Sequence, residues 1–571
     1  MKSSVVRARI RTYLIVGALA GLGLGCAAEP EVAADLVLRG GKVVTVDDAV
    51  PDGEAIAVKD DTILAVGSDA EIESYIGRKT KVIDLDGKLA IPGFIESHGH
   101  FLGVGDANLQ LKLMDVANWD EIVSMVAAVV GDAQPGELIR GRGWHQEKWD
   151  KRPANAVQGL PRHDALSAVS PNNPVILRHA SGHASFANAK AMEMAGITRD
   201  TPNPPGGQIV RDATGEPIGV FRETAQRLLG RATRNATPPD PRRQAELAIE
   251  ELLSKGVTTF QDAGSSFETI DVFKQMVEDG AMGVRLWVMI RAPNDQLAEK
   301  LPDYRIDEMG DHRLTVRAIK RTIDGALGSH GAWLLAPYKD MPTSSGLNTA
   351  SVASVTETAR LAIANGFQLC VHAIGDRANR EVLNIFERTF KANPDKTDLR
   401  WRIEHAQHIN AVDIPRFGQL GVIASMQGIH ATSDAPYVLQ RLGEKRAEEG
   451  AYVWQKLMKS GAIVANGTDA PVEDVDPIAN YYASVSRRTK DGTVFFPDQR
   501  MSRMEALKSY TMNGAYAAFE EPIKGSLTPG KLADITVLSK DIMTIPEDEI
   551  PSTEVVYTIV GGKVMYEREK N

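Results

Sequence analysis

Eight apolar runs, each closing on a Gly, Asp or His cluster, constrain the fold of this chain more than any other feature. They are LAIPGFIESHGH (89–100), GVTTFQDAG (256–264), MGVRLWVMI (282–290), LTVRAIKRTIDG (314–325), FQLCVHAIGD (367–376), WRIEHAQ (401–407), GVIASMQG (421–428) and AIVANGTDAP (462–471). Runs of this kind read as buried strands. Helix-like segments such as SVTETARLAIANG and REVLNIFERTFKAN stand between several of them. Eight strands alternating with helices predict an α/β chain folded as a (β/α)8 TIM barrel, with the active site at the C-terminal strand ends.

The two chain ends read alike. DLVLRGGKVVTVDD (35–48), AIAVKDDTILAVGS (55–68) and TKVIDLDGKLA (80–90) are short β-rich runs with Gly-Gly, Asp-Asp and Asp-Gly turns. LADITVLSKD (532–541) and VVYTIVGGKVMYE (555–567) repeat the style, so both ends are expected to build one small β-sandwich. Some 150 residues separate the first two barrel runs, too many for a plain crossover, which predicts an inserted subdomain over the barrel mouth. The expected division is a signal segment at 1–26, the N-terminal sandwich segment at 33–89 and barrel strand one at 90–101. The insertion follows at 102–249, then the rest of the barrel at 250–514 and the C-terminal sandwich segment at 515–571.

Within the first run, His98 and His100 lie two apart and so project from one strand face, as imidazoles that share a divalent metal must. Alone, the pair reads equally well as polar residues closing a strand at the surface. All twelve histidines fall between His98 and His430, none in the sandwich segments. Lys320, His372, His405 and Asp469 add ligand-type residues at four further strand ends. Convergence from independent strands of one barrel favours a metal centre.

In this order HGH after IPGFIES, IKRTIDGALGS, VHAIGD, IEHAQ and NGTDAP resemble the amidohydrolase superfamily, and most nearly its YtcJ-like branch, which includes N-substituted formamide deformylase. GRGWHQEKW (141–149), SGHASFANAKAM (181–192), MNGAYAAFE and KGSLTPGKLADITVL agree, and the likeness covers the chain after residue 33. The resemblance implies that His98 and His100 hold the more buried of two divalent ions together with Asp469, and that His372 and His405 hold the second. It implies that Lys320, carboxylated by carbon dioxide, bridges them. The other reading makes Lys320 an interior cation paired with Asp324. A buried lysine has a lowered pKa, which supplies the neutral amine that carbamate formation needs. Asp469 is expected to take a proton from water, leaving hydroxide to attack a carbonyl carbon, and to protonate the leaving nitrogen. Its alternative role is a helix N-cap before Pro471. Zinc is the expected metal from the imidazole-rich set. Trp144, His145, His183, Asp324, His330 and His430 are candidates for contacting substrate. The chain departs from the family pattern at His330, where arginine is usual after GALGS, at Arg321 and at Gly428.

MKSSVVRARIRTYLIVGALAGLGLGC carries a basic start, a short apolar stretch and small residues before Cys26. It reads as a secretory signal and resembles the bacterial lipoprotein type with Cys26 as the lipidated residue, although Gly23 stands where leucine is usual; the alternative is ordinary secretion with an incidental cysteine. Ala27 after the cysteine points to the outer membrane, where the host has one. The one other cysteine, Cys370, leaves no disulfide framework. A net charge of −10 argues against nucleic acid as a partner. The expected function is metal-dependent cleavage of an amide or N-acyl C–N bond in a small molecule. Hydrolysis of an ester or lactone C–O bond is the rival, and a silent solute-binding lipoprotein is the alternative of another class. The partners expected are the substrate, a membrane through the lipid anchor alone, and further copies of the chain in a homo-oligomer.

Overall fold

The computed structural model describes residues 32–234, 236 and 238–569. The signal segment and Cys26 lie outside the described residues. The eight predicted barrel strands all form, as Phe94–Gly99, Val257–Ser265, Arg285–Ile290, Leu314–Thr322, Gln368–Ala373, Arg402–His405, Ile423–Met426 and Val464–Asn466. They pair in parallel, each beside its predecessor. The last strand meets the first beyond its own end, where Asp469 N donates to His98 O at 2.8 Å and His100 N to Ala470 O at 2.7 Å. The barrel is thus nearly closed, and the junction is made by two of the site motifs. Ala263, Trp287, Met289, Ala318 and Cys370 pack together inside it, with Ala518 beside them. Cys370 is a buried free thiol. Helices cover the outside. Asp376–Ala392, for example, buries Val382, Leu383, Ile385 and Phe386 on one stripe.

The run Leu89–Ser97, read from sequence as one strand, is two. Leu89–Pro92 belongs to a six-stranded terminal sheet, pairing in parallel with Lys42–Val44 and antiparallel with Ile535–Leu538. The barrel strand starts only at Phe94. Gly93 makes the handover because a Cβ there would lie 2.3 Å from the Thr258 side chain. A four-stranded sheet, Thr62–Gly67, Ala55–Lys59, Leu36–Arg39 and Lys81–Asp84, faces it. Leu36, Leu38, Ile56, Val58, Ile535, Val537 and Ile559 fill the space between the two sheets. Both chain ends therefore share one sandwich, as the sequence predicts.

The insertion carries its own six-stranded sheet, from Leu111–Lys112 to Pro217–Glu223. It is narrower than 102–249. Helix Phe101–Ala107 packs on helix Pro241–Ser254, and a Cβ on Gly105 would lie 1.8 Å from Gln244 O. Both helices are barrel wall.

Candidate active site and metal centre

On the first barrel strand the side chains alternate, so Glu96, His98 and His100 share one face. His98 is completely buried and its Nδ1 is held by the Glu404 carboxylate. Glu404 is in turn gripped by Arg402, with Nε at 2.7 Å and Nη2 at 3.1 Å. Arg402 also donates to Gln261 Oε1 at 2.6 Å, Ser97 O at 2.7 Å and Ser425 Oγ at 2.8 Å. Burial favours the neutral acid, but Arg402 and His98 outweigh it and hold Glu404 well below the usual carboxylate range. With Nδ1 committed, His98 presents Nε2 to the centre, as a ligating histidine fixed by a carboxylate does.

Around that nitrogen the predicted ligands converge. Lys320 Nζ lies 3.3 Å from His98 Nε2, and Asp469 Oδ1 lies 3.5 Å from it and 3.2 Å from His100 Nε2. One donor atom each from His98, His405 and Asp469 lies within 4.8 Å of the others. His405 donates Nδ1 to Gln427 Oε1 at 2.8 Å, and the His372 ring stands 4.5 Å from it, centroid to centroid. The tightest trio thus joins His405 to the set expected around the other ion.

Strand alternation alone would put His405 on the face opposite Glu404. A left-handed backbone at His405 (φ +76°) and Ala406 (φ +45°) turns the chain there. Asp469 is left-handed too, with φ +58°. Such strained positions persist where their surroundings over-determine them.

Burial pushes Lys320 down to about 8, against the pull of Glu404 and Asp469, and His98 down to about 4. Burial also takes His372 and His405 well below their ordinary value, so these imidazoles are neutral. Asp469 has burial against it, yet contact with His100 and the other histidines keeps it ionised. Its Oδ1 and His372 Nε2 are buried without a hydrogen bond. Neutral imidazoles, an ionised carboxylate and orphaned donor atoms in one buried spot are what a divalent cation requires, so the residues fit one.

Lys320 does not pair with Asp324. Asp324 accepts from Trp333 N at 2.9 Å, Ile374 N at 3.0 Å and Gly375 N at 2.8 Å, and lies 3.5 Å from His372 Nε2. Burial lifts it to about 7 against those three donors.

Three substrate candidates line the pocket above the cluster: His145, His183 and His430. His145 stacks on Tyr437 with centroids 5.5 Å apart. His183 Nδ1 meets Glu223 Oε2 at 2.7 Å, and His430 Nδ1 meets Gln407 Nε2 at 3.0 Å.

The other three do not line it. Trp144 is buried in the insertion's own core and donates Nε1 to Leu177 O at 2.9 Å. Trp144 and His145 are sequence neighbours, and only His145 reaches the pocket. His330 turns away, with Nε2 3.2 Å from Asp340 and its ring against Tyr338. Asp324 sits behind His372 and braces backbone.

Sequence reasoning did not single out Glu404, Glu223, His179, Lys148, Tyr437 or Glu473. A charged pair at alternate positions in a buried run, Arg402 and Glu404, is the signal for the first. Nothing local marks Glu223, whose backbone has φ +52°. Its carboxylate occupies the space left by two loop glycines: a Cβ on Gly325 would lie 2.1 Å from Glu223 Oε1, and one on Gly331 2.3 Å.

The family model described as amidohydrolase family matches residues 81–566. The chain belongs to the amidohydrolase family. It is 33% identical to the Arabidopsis thaliana protein LONG AFTER FAR-RED 3 over 94% of this chain and 92% of that one. It is 29% identical to the putative amidohydrolase YtcJ of Bacillus subtilis, covering 93% and 99%. N-substituted formamide deformylase of Arthrobacter pascens is 28% identical, covering 94% and 98%. The fold is shared with an uncharacterized metal-dependent hydrolase from Pyrococcus horikoshii, at a TM-score of 0.71 and 24% identity over 90% and 99% of the chains. Both the branch and the architecture expected from sequence are therefore found.

Two spaces meet at the amidohydrolase's cluster. A chamber of about 40 Å³ runs under His145, Tyr437 and His430, and a cleft of about 860 Å³ opens beside the insertion. His183, His372, His405 and Asp469 border both.

Proposed function

We propose that this amidohydrolase is a metal-dependent hydrolase that cleaves the C–N bond of an amide or N-acyl compound. The observation that carries the reading is the convergence of His98, His405 and Asp469 beside Lys320, His100 and His372. His98, His100 and Asp469 would hold one divalent ion and His372 and His405 a second, with carboxylated Lys320 between them and zinc favoured by the imidazole-rich set. Bound there, the ions supply Lewis acidity toward a carbonyl oxygen and make water nucleophilic near neutral pH.

The chain's own residues do the rest. Arg402 and Glu404 fix the His98 ring. Asp469 faces His98 and His100 through Oδ1, leaving Oδ2 to take the proton of the attacking water. As the new C–O bond forms and the C–N bond breaks, Oδ2 returns that proton to the leaving nitrogen. The insertion forms one wall of the site, from which His145 and His183 reach the pocket.

The test is turnover of formamides, N-acyl amino acids, anilides and esters by purified enzyme whose metal content has been measured. Amide turnover that a chelator abolishes and added metal restores, with close to two ions per chain, is the expected outcome. Turnover of esters alone overturns the C–N assignment. One ion or fewer in active, metal-supplemented protein overturns the binuclear arrangement, and an unmodified Lys320 amine in the intact mass of active enzyme removes the carbamate. Export and lipid anchoring at Cys26 rest on sequence alone. The native protein should partition with membranes, and Cys26→Ser should release it; a soluble wild type would withdraw the anchor.

A further inference from the structure

The cleft of about 860 Å³ is strongly cationic. Six arginines from five separate segments line it, Arg140, Arg142, Arg178, Arg227, Arg291 and Arg321, of which Arg140 is paired with Asp106. The chain as a whole carries a net charge of −10, so this is a local accumulation and not a reflection of composition.

The carboxylates in the same walls are already engaged. Asp106 pairs with Arg140 at 3.0 Å and Glu223 with His183 at 2.7 Å, while Asp469 belongs to the metal-site cluster, its Oδ1 3.2 Å from His100 Nε2. Asp262, behind Arg291, accepts from Phe101 N at 2.9 Å and Ser265 Oγ at 2.7 Å. Among the described residues Arg142 donates to two carbonyls, of Pro471 at 3.2 Å and Ala180 at 3.0 Å. Arg321 donates to Ala292 O at 3.2 Å and Ser354 Oγ at 2.9 Å. These acceptors orient the guanidinium groups without neutralising them. Arg178, Arg227 and Arg291 make no ion pair among the described residues.

Burial and its neighbour Arg178 push Arg142 down to about 9. Arg291 is lowered as well, by burial first and then by Arg178, Arg321 and Arg227. Like charges held this close in a recess are costly unless an anion joins them. Guanidinium forks match carboxylates bidentately, which makes arginine the residue suited to such an anion.

The chamber of about 40 Å³ that borders the same cluster has room for roughly three water-sized volumes. That suits a group no larger than formyl or acetyl. We propose that the substrate is a small N-acyl or amide compound bearing carboxylates. The charged flank of its scissile bond lies in the arginine cleft, and the small uncharged flank lies under His145, Tyr437 and His430. The inference rests on the amide-hydrolase reading for the bond cleaved, and on the arginine cleft alone for the charge.

The experiment compares metal-loaded enzyme on N-formyl- and N-acetyl-glutamate of either hand with their uncharged diamides. Glutarate binding is measured in parallel by calorimetry. The acid substrates should be favoured by about 10- to 100-fold in kcat/KM, as expected when charge-assisted hydrogen bonds distinguish two ligands. The double variant Arg178→Gln/Arg291→Gln should lose most of that preference through KM, and Arg227→Gln alone should lose a smaller share of it. Added salt should shrink the preference in the wild type. Equal turnover of acids and diamides, together with glutarate binding that the arginine variants leave unchanged, overturns the inference while the amide reading stands. If no amide is cleaved, that reading falls instead. The charge assignment is then decided by glutarate alone: binding lost in the double variant supports it, and no binding to the wild type ends it.

Discussion

At the scale of single residues, Asp469 carries the heaviest assignment. Asparagine keeps its size and one ligand oxygen but cannot carry a proton. Acid–base assistance is worth roughly 100- to 10,000-fold, so Asp469→Asn should lower kcat by at least about 100-fold. Metal content is measured on the same preparation. A variant that holds its metal and turns over at the wild-type rate removes Asp469 as proton carrier. The candidate ligands were legible because each stands at the end of a buried run, where parallel barrels place their chemistry. Trp144 was misread because its motif fixes the strand and not the side each neighbour faces; its indole N–H finds Leu177 O inside the insertion. Glu223 and the cleft arginines were illegible for another reason. Their meaning depends on which distant segments the fold brings together, and no local spacing encodes that.

At the scale of elements, the junction of the first and last barrel strands brings the candidate ligands His98, His100 and Asp469 together. Thr468 N donates to Glu96 Oε1 at 2.6 Å, and the backbone bonds of Asp469 and His100 follow directly. Gly467 must be side-chain-free for this, because a Cβ there would lie 2.5 Å from Glu96 Oε1 and 2.7 Å from His98 N. Gly467→Ala should therefore destabilise the protein by about 1–3 kcal/mol, the usual cost of overpacking, and lower its metal affinity. Thermal unfolding with and without metal checks this. An unchanged midpoint and full metal content would show that the junction can give way. The eight strands themselves were readable as apolar runs, but the break at Gly93 was not, since Leu89–Pro92 and Phe94–Gly99 follow one another in a single extended run, are both fully buried and part only in the sheets they join.

At the scale of the whole molecule, sandwich and barrel are pinned by a buried ion pair. Arg285, opening the third barrel strand, meets Asp534 at 2.7 Å and 3.0 Å, and Gly561 N donates to the same carboxylate at 2.9 Å. Removing one partner leaves the other charge buried, so Asp534→Ala should cost about 3–5 kcal/mol at neutral pH. Burial opposes ionisation of Asp534, but Arg285 outweighs it and the folded-state pKa lies below the ordinary 3.8. The stabilisation is complete above that value and is lost as pH falls through the folded pKa. The gap in unfolding midpoint between wild type and variant should therefore shrink on acidification. A gap that is constant into strong acid would mean the loss is one of packing.

Strand Leu89–Pro92 also sets a timetable. Its neighbour on one side, Lys42–Val44, emerges from the ribosome just before it, whereas its neighbour on the other, Ile535–Leu538, follows about 440 residues later. At synthesis rates of about 5–20 residues per second, the sheet stays open-edged for roughly 20 to 90 s. Throughout that interval Leu89, Ala90 and Ile91, all fully buried in the finished protein, offer an unpaired apolar ribbon to any other chain. The nascent polypeptide must be shielded for nearly its whole length, and a chain cut short anywhere before Ile535 keeps that exposed edge for good.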